Sequence, residues 1–133
     1  MLYTYPAVFT PMEDESGYYI RFPDLDGCIT TGEDLPDAVE MASDALAVWL
    51  CAQEDHQVLI PAPTSPKAVH IEENEICTLI QADTAKYRAL TDTHAVRKTV
   101  SLPAWMATLA DRMGLNCSQV LQEALRQKLG VNL

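Results

Sequence analysis

Residues 96–133 constrain the chain most, because they describe a unit that cannot fold alone. Val96-Arg-Lys-Thr-Val-Ser-Leu102 alternates, so Val100 and Leu102 share one face of a strand and Arg97, Thr99 and Ser101 the other. Pro103 stops that strand and can open a helix, in which Trp105, Leu109 and Met113 recur at every fourth position, joined by Met106 and Ala110. Gly114 ends the helix, and Asn116, with Gln119 three residues on, caps a second one carrying Val120, Leu121, Ala124, Leu125 and Leu129. A lone strand is all edge, and a unit this small buries too little surface to be stable. Two copies remove both difficulties. Their strands pair antiparallel and four helices cover the inner face, which predicts a homodimer with Val100, Leu102, Trp105, Leu109, Leu121 and Leu125 in its core.

The outer face of such a ribbon displays Arg97, Thr99 and Ser101 from each chain, and its width fits the major groove of B-DNA. The run Arg97-Lys-Thr-Val-Ser-Leu-Pro103 and the following Met113-Gly-Leu-Asn-Cys-Ser-Gln119 resemble the ribbon-helix-helix DNA-binding domain. The resemblance implies that Arg97, Thr99 and Ser101 read base edges. It also implies that backbone N–H groups around Asn116, Cys117 and Ser118 hold a phosphate at the second helix's start. Lys98 departs from the pattern, since its inward position is usually apolar; near the strand's start it can snorkel outward to a phosphate.

Charge separates this tail from the rest. The chain of 133 residues carries a formal net charge of −10, which taken alone argues against nucleic acid or an anionic membrane as partner. Residues 1–95 hold four basic and seventeen acidic side chains, a balance of −13, whereas residues 96–133 hold five basic and two acidic, a balance of +3. An acidic body with a basic tail implies two tasks.

Several classes are excluded as expectations. No apolar run is long enough to span a membrane, and the first ten residues lack the basic and apolar regions of a signal peptide. Cys28, Cys51, Cys77 and Cys117 form no C-x-x-C pair, and His56, His70 and His94 fall beside none of them. We therefore expect reduced thiols in a cytoplasmic protein, with no metal and no cofactor.

The body reads as α+β. Tyr3–Thr10 and Tyr18–Phe22 alternate around the polar turn Glu13–Gly17 and predict a hairpin, with Pro6 better suited to an edge than to a central strand. Cys28–Thr31 is a short third strand. Asp34 caps a helix running to about Gln53, whose apolar face is Leu35, Ala38, Val39, Ala42, Leu46, Trp49 and Leu50. Pro61, Pro63 and Pro66 make residues 57–75 an irregular return, Ile76–Ala82 is a last strand, and Asp83–Leu90 adds a turn or two of helix capped by Asp83 or Thr84. The organisation expected is 1–82, a linker over 83–95, and 96–133.

The segments Tyr5-Pro-Ala-Val-Phe9, Gly17-Tyr-Tyr-Ile-Arg-Phe-Pro-Asp-Leu-Asp-Gly-Cys28, Thr31-Gly-Glu-Asp-Leu-Pro-Asp-Ala-Val39, Asp44-Ala-Leu46 and Ile60-Pro-Ala-Pro-Thr-Ser65, in that order, resemble the HicB antitoxin family. That resemblance implies a reduced RNase H-like fold, an antiparallel sheet with one packed helix. It also implies a partner, a HicA-like toxin that is a small basic ribonuclease. An acidic body can steer to such a toxin. Asp24, Asp26 and Glu33 are candidate contacts, although Asp24 and Asp26 serve equally as turn formers.

Taken together, the expectation is an antitoxin and not an enzyme. It would neutralise its toxin by direct binding and repress its own operon by binding operator DNA as a dimer or higher oligomer. Two other classes stand beside it. A ligand-sensing ribbon-helix-helix repressor would use the body for a metabolite. An RNase H-like nuclease would need Asp24, Asp26, Glu40 and Asp44 to converge on metal ions, but Glu40 and Asp44 fall on the helix side away from its apolar stripe.

Overall fold

The computed structural model describes residues 1–131 and divides at Arg88/Ala89 into two compact units. Unit 1 is a four-stranded antiparallel sheet of β1 (Leu2–Pro11), β2 (Tyr18–Arg21), β3 (Ile29–Gly32) and β4 (Ile76–Asp83), in the order β3-β2-β1-β4. The helix α1 (Leu35–Asp55) packs on one face. Alternation decides what that face carries. Tyr5, Ala7 and Phe9 of β1, Ile20 of β2 and Ile80 and Ala82 of β4 all point inward and are buried against Ala38, Ala42, Leu46 and Leu50 of α1.

The helix starts where its chemistry requires. Asp34 Oδ1 accepts the Asp37 N–H at 2.9 Å, satisfying an orphan donor of the first turn, and Asp37 Oδ2 reaches back to accept the Glu33 N–H just before the cap at 2.8 Å. Its apolar face is narrower at the start than its spacing predicts. Leu35 and Val39 are about half exposed, because the sheet contacts begin at Ala38, while Ala47 and Cys51 are buried farther along.

Pro6 corrects the expectation of an edge position, since β1 lies inside the sheet with Pro6 opposite Leu79 of β4. The reason is register. β2 pairs with β1 only from Val8 to Pro11, so at Pro6 one side of the central strand has no ladder for a missing N–H to interrupt. The return between α1 and β4, with one 3₁₀ turn at Pro66–Ala68, touches the sheet face opposite α1: Cys77 Sγ lies 3.9 Å from Pro66 O and Arg21 Nη2 3.7 Å from Glu75 Oε1. Val8, whose cross-strand neighbours are Arg21 and Cys77, is consequently buried although it faces away from α1.

The segment 83–95 is not uniformly irregular. The helix α2 spans Thr84–Thr91, opened by Asp83 Oδ1 accepting the Ala85 and Lys86 N–H groups at 3.1 and 3.3 Å. Arg88 Nη2 donates to Cys51 O at 3.1 Å and to Glu54 Oε1 at 3.2 Å, while Nη1 meets Asp55 Oδ1 at 2.9 Å. These bonds hold α2 to the end of α1.

Unit 2 contains α3 (Ala104–Arg112) and α4 (Cys117–Leu129), and residues 92–103 carry neither helix nor strand. The strand expected over 96–102 is therefore absent, for the physical reason that no described segment offers it a ladder partner. Neither α3 nor α4 has a buried residue.

Candidate functional site

The turns of unit 2 follow from local chemistry. Pro103 O accepts the Met106 and Ala107 N–H groups at 3.0 and 3.1 Å, starting α3 without a side-chain cap. Gly114 takes a positive φ of 65°, which lets the Leu115 N–H return to Ala110 O at 3.0 Å and close the helix. Asn116 Oδ1 then accepts the Gln119 N–H at 3.2 Å and starts α4. The cap leaves the Cys117 and Ser118 N–H groups in the first turn, where a helix presents donors to an anion.

These elements enclose one apolar cleft of about 370 Å³, lined by Val100, Leu102, Met106, Leu121 and Ala124 among others, with Lys98, Cys117 and Ser118 also on its wall. Lys98 thus shares a face with Val100 and Leu102, as alternation requires. Of the remaining expected core residues, Trp105 is 64% exposed, and Leu109 and Leu125 are nearly half exposed. Arg97, Thr99 and Ser101 are exposed in the segment before α3, which carries neither helix nor strand. Large apolar side chains at this exposure, on every element of one small unit, form a surface that water opposes.

In unit 1 the candidate acids part company. Asp24 accepts the Thr64 N–H at 3.0 Å through Oδ2 and the Thr64 hydroxyl through Oδ1. It joins the turn after β2 to the return, a role no local signal announces. Asp26 is exposed, and its backbone carbonyl accepts the Trp49 Nε1–H at 3.0 Å, which fixes its loop over α1. Glu33 is exposed just before α1. Glu40 and Asp44 lie on the exposed side of α1, apart from Asp24. Among the described residues, no three His, Cys, Asp or Glu side chains converge as a metal site would need.

One polar cluster was not legible in the sequence. Glu54 Oε2 accepts the Tyr3 hydroxyl at 2.9 Å and the Thr84 hydroxyl at 3.1 Å, while Oε1 faces Arg88. Burial works against the Glu54 charge, but the bonds from Tyr3, Arg88 and Thr84 outweigh it and hold the carboxyl below its ordinary 4.5. Burial, with the bond to Glu54, pushes Tyr3 up to about 12. Burial alone pushes the Cys28 thiol up to about 11, and such a thiol is a packing group. Among the described residues no helix is long and apolar enough to cross a membrane.

Comparison with known proteins bears on both units. The model of the HicB-like antitoxin of bacterial toxin–antitoxin systems matches residues 5–123. Antitoxin HicB 1 of Photorhabdus laumondii is 33% identical over 69 residues, covering 50% of this chain and 44% of that protein. Antitoxin HicB of Escherichia coli K12 is 37% identical over 60 residues, covering 45% and 43%. The chain thus spans less than half the length of the curated relatives it matches. A toxin–antitoxin complex from Streptococcus pneumoniae superimposes with a TM-score of 0.63 at 26% identity, over 96% of this chain and 99% of that one. A HicA3 and HicB3 toxin–antitoxin complex superimposes with a TM-score of 0.52 at 25% identity, over 61% and 99%. With residues 5–123 matched, body and most of the tail together, the chain belongs to the HicB-like antitoxin family of bacterial toxin–antitoxin systems.

Proposed function

We propose that unit 1 neutralises a HicA-like ribonuclease toxin by direct binding and occlusion, and that the tail dimerises and binds operator DNA, repressing the operon that encodes both proteins. The antiparallel sheet with one packed helix supports the reduced RNase H-like arrangement that the resemblance implies. A solved relative is a complex of HicA3 with HicB3, which supports a toxin as partner here. The acidic balance of −13 over residues 1–95 suits a partner that is itself basic because it binds RNA.

For the tail, one observation carries the reading: two helices behind an alternating segment, with no buried residue on either helix. Such a unit gains its core from a second copy. When the two 96–102 segments pair, Val100 and Leu102 on the cleft wall pack against the second copy, and Arg97, Thr99 and Ser101 face outward as a ribbon-helix-helix ribbon for base edges. Lys98 shares the cleft wall with Cys117 and Ser118 of the first turn of α4, which supports a phosphate contact there.

Co-expression with the adjacent reading frames tests the first half. A small basic protein should co-elute with this chain and lose its ribonuclease activity in the complex; if none does so, the antitoxin reading falls. The upstream DNA of the operon tests the second half, by a mobility shift that weakens steeply with salt as phosphate contacts displace counterions. A full-length chain that leaves that DNA unshifted at low salt overturns autorepression.

A further inference from the structure

We propose that the open edge of β3, with the apolar clefts on its two sides, is the surface on which the toxin docks; this rests on the antitoxin reading above. Among the described residues β3 has a ladder partner only in β2, so one side of Ile29–Gly32 carries unpaired backbone groups. The other sheet edge is engaged by α1 at one point, where the Ser43 hydroxyl donates to Gln81 O of β4 at 2.7 Å.

Ile29 opens β3 at the free edge, is 70% exposed, and lines both clefts. On the outer sheet face, a cleft of about 270 Å³ is walled by Ile29, Tyr19, Arg21, Thr10 and Thr31. On the helix side, a second of about 240 Å³ is walled by Ile29, Gly27, Ala45, Val48 and Trp49. Tyr19 and Val48 are also about half exposed, so apolar surface continues from one sheet face around the edge to α1. Each cleft is too small for a helix and suits one or two side chains.

Charge selects the occupant. Asp26 precedes Gly27 on the helix-side cleft, and Asp44 stands next to Ala45 and one turn before Val48, so exposed carboxylates flank the apolar wall. That pattern fits a basic protein presenting an extended segment, with apolar side chains entering the clefts and Lys or Arg beside them. Asp26 thereby keeps the contact role, while Asp24 is a positioning residue tied to Thr64.

Hydrogen exchange on the full-length chain, with and without the purified small basic protein from the adjacent reading frame, tests the placement. Amides of 26–32 and 44–49 should slow in the complex; slowing confined to 57–75 or to the tail overturns the proposal. Ile29→Asp should weaken the complex roughly tenfold or more without shifting the thermal melt, whereas Leu59→Asp, 91% exposed on the return, should leave affinity unchanged. Equal affinity of Ile29→Asp and wild type overturns the docking surface alone. Absence of any complex with the wild-type chain overturns the antitoxin reading and this proposal together.

Discussion

Asp24 and Thr64, separated by 40 positions, meet through the Thr64 N–H at 3.0 Å and the Thr64 hydroxyl. The pair joins the turn leaving β2 to the proline-containing return, and the return in turn covers the sheet face around Val8. Asp24→Ala hands the exposed Thr64 donors to water and should cost about 0.5–1.5 kcal/mol of stability. Chemical denaturation checks this. On the proposed docking surface Asp24 positions the loop, so toxin affinity should fall only in proportion to the unfolded fraction; a larger fall would return Asp24 to the contact.

Gly32 makes a second long-range demand. A Cβ there would lie 2.4 Å from Ala38 Cα and 2.6 Å from Ala38 N, so β3 and α1 approach through the absence of a side chain. Nothing flexible can yield, since both obstructing atoms are backbone. Gly32→Ala should destabilise unit 1 by ~1–3 kcal/mol or more, read as a lowered denaturation midpoint. Gly27, with φ of 78° and open space around its missing Cβ, should be destabilised by alanine through backbone strain instead.

The elements with local signals were legible: the hairpin, α1 with its Asp34 cap, β4, and the Gly114 and Asn116 punctuation of the tail. What escaped was decided by contacts distant in sequence. Pro6 is tolerated inside the sheet because β2 stops short of it, a fact of register that composition does not record. The role of Asp24 depends on Thr64, and the anchoring of α2 depends on Arg88 finding Glu54 and Asp55 on another helix. The strand expected at 96–102 shows the opposite case, in which alternation is plain but nothing among the described residues of one chain pairs with it.

The Glu54 cluster should contribute to the pH dependence of unit 1 at both ends. Its carboxyl is held below 4.5, so it contributes stability above that value and loses it as pH falls through the lower folded value. Tyr3 is raised from 10.0 to about 12, so its contribution is complete below pH 10 and disappears as pH rises toward 12. Melting temperature followed across pH should show both limbs. Glu54→Gln should flatten the acid limb and pull the alkaline limb to lower pH, because the Tyr3 hydroxyl loses its charged acceptor. An acid limb unchanged in that variant would show that other carboxylates control it.

The tail makes the sharpest demand on solution behaviour. Leu102 and Val100 line the cleft, and neither α3 nor α4 has a fully buried residue in one chain, so on the proposed dimer the fold of this unit should depend on protomer concentration. Val100→Asp with Leu102→Asp places charge where the second copy would pack, and should convert the dimer to monomer and abolish the operator shift together. Sedimentation and mobility shift measure the two losses separately, and a dimer that survives the double substitution shows that the ribbon is not the interface. Arg97→Ala should leave the dimer intact, since its side chain faces away from the cleft. It should cost about 1–3 kcal/mol of operator affinity per half-site and relax sequence preference. A variant that loses affinity equally for operator and unrelated DNA would instead place Arg97 on a phosphate, leaving Thr99 and Ser101 to read the bases.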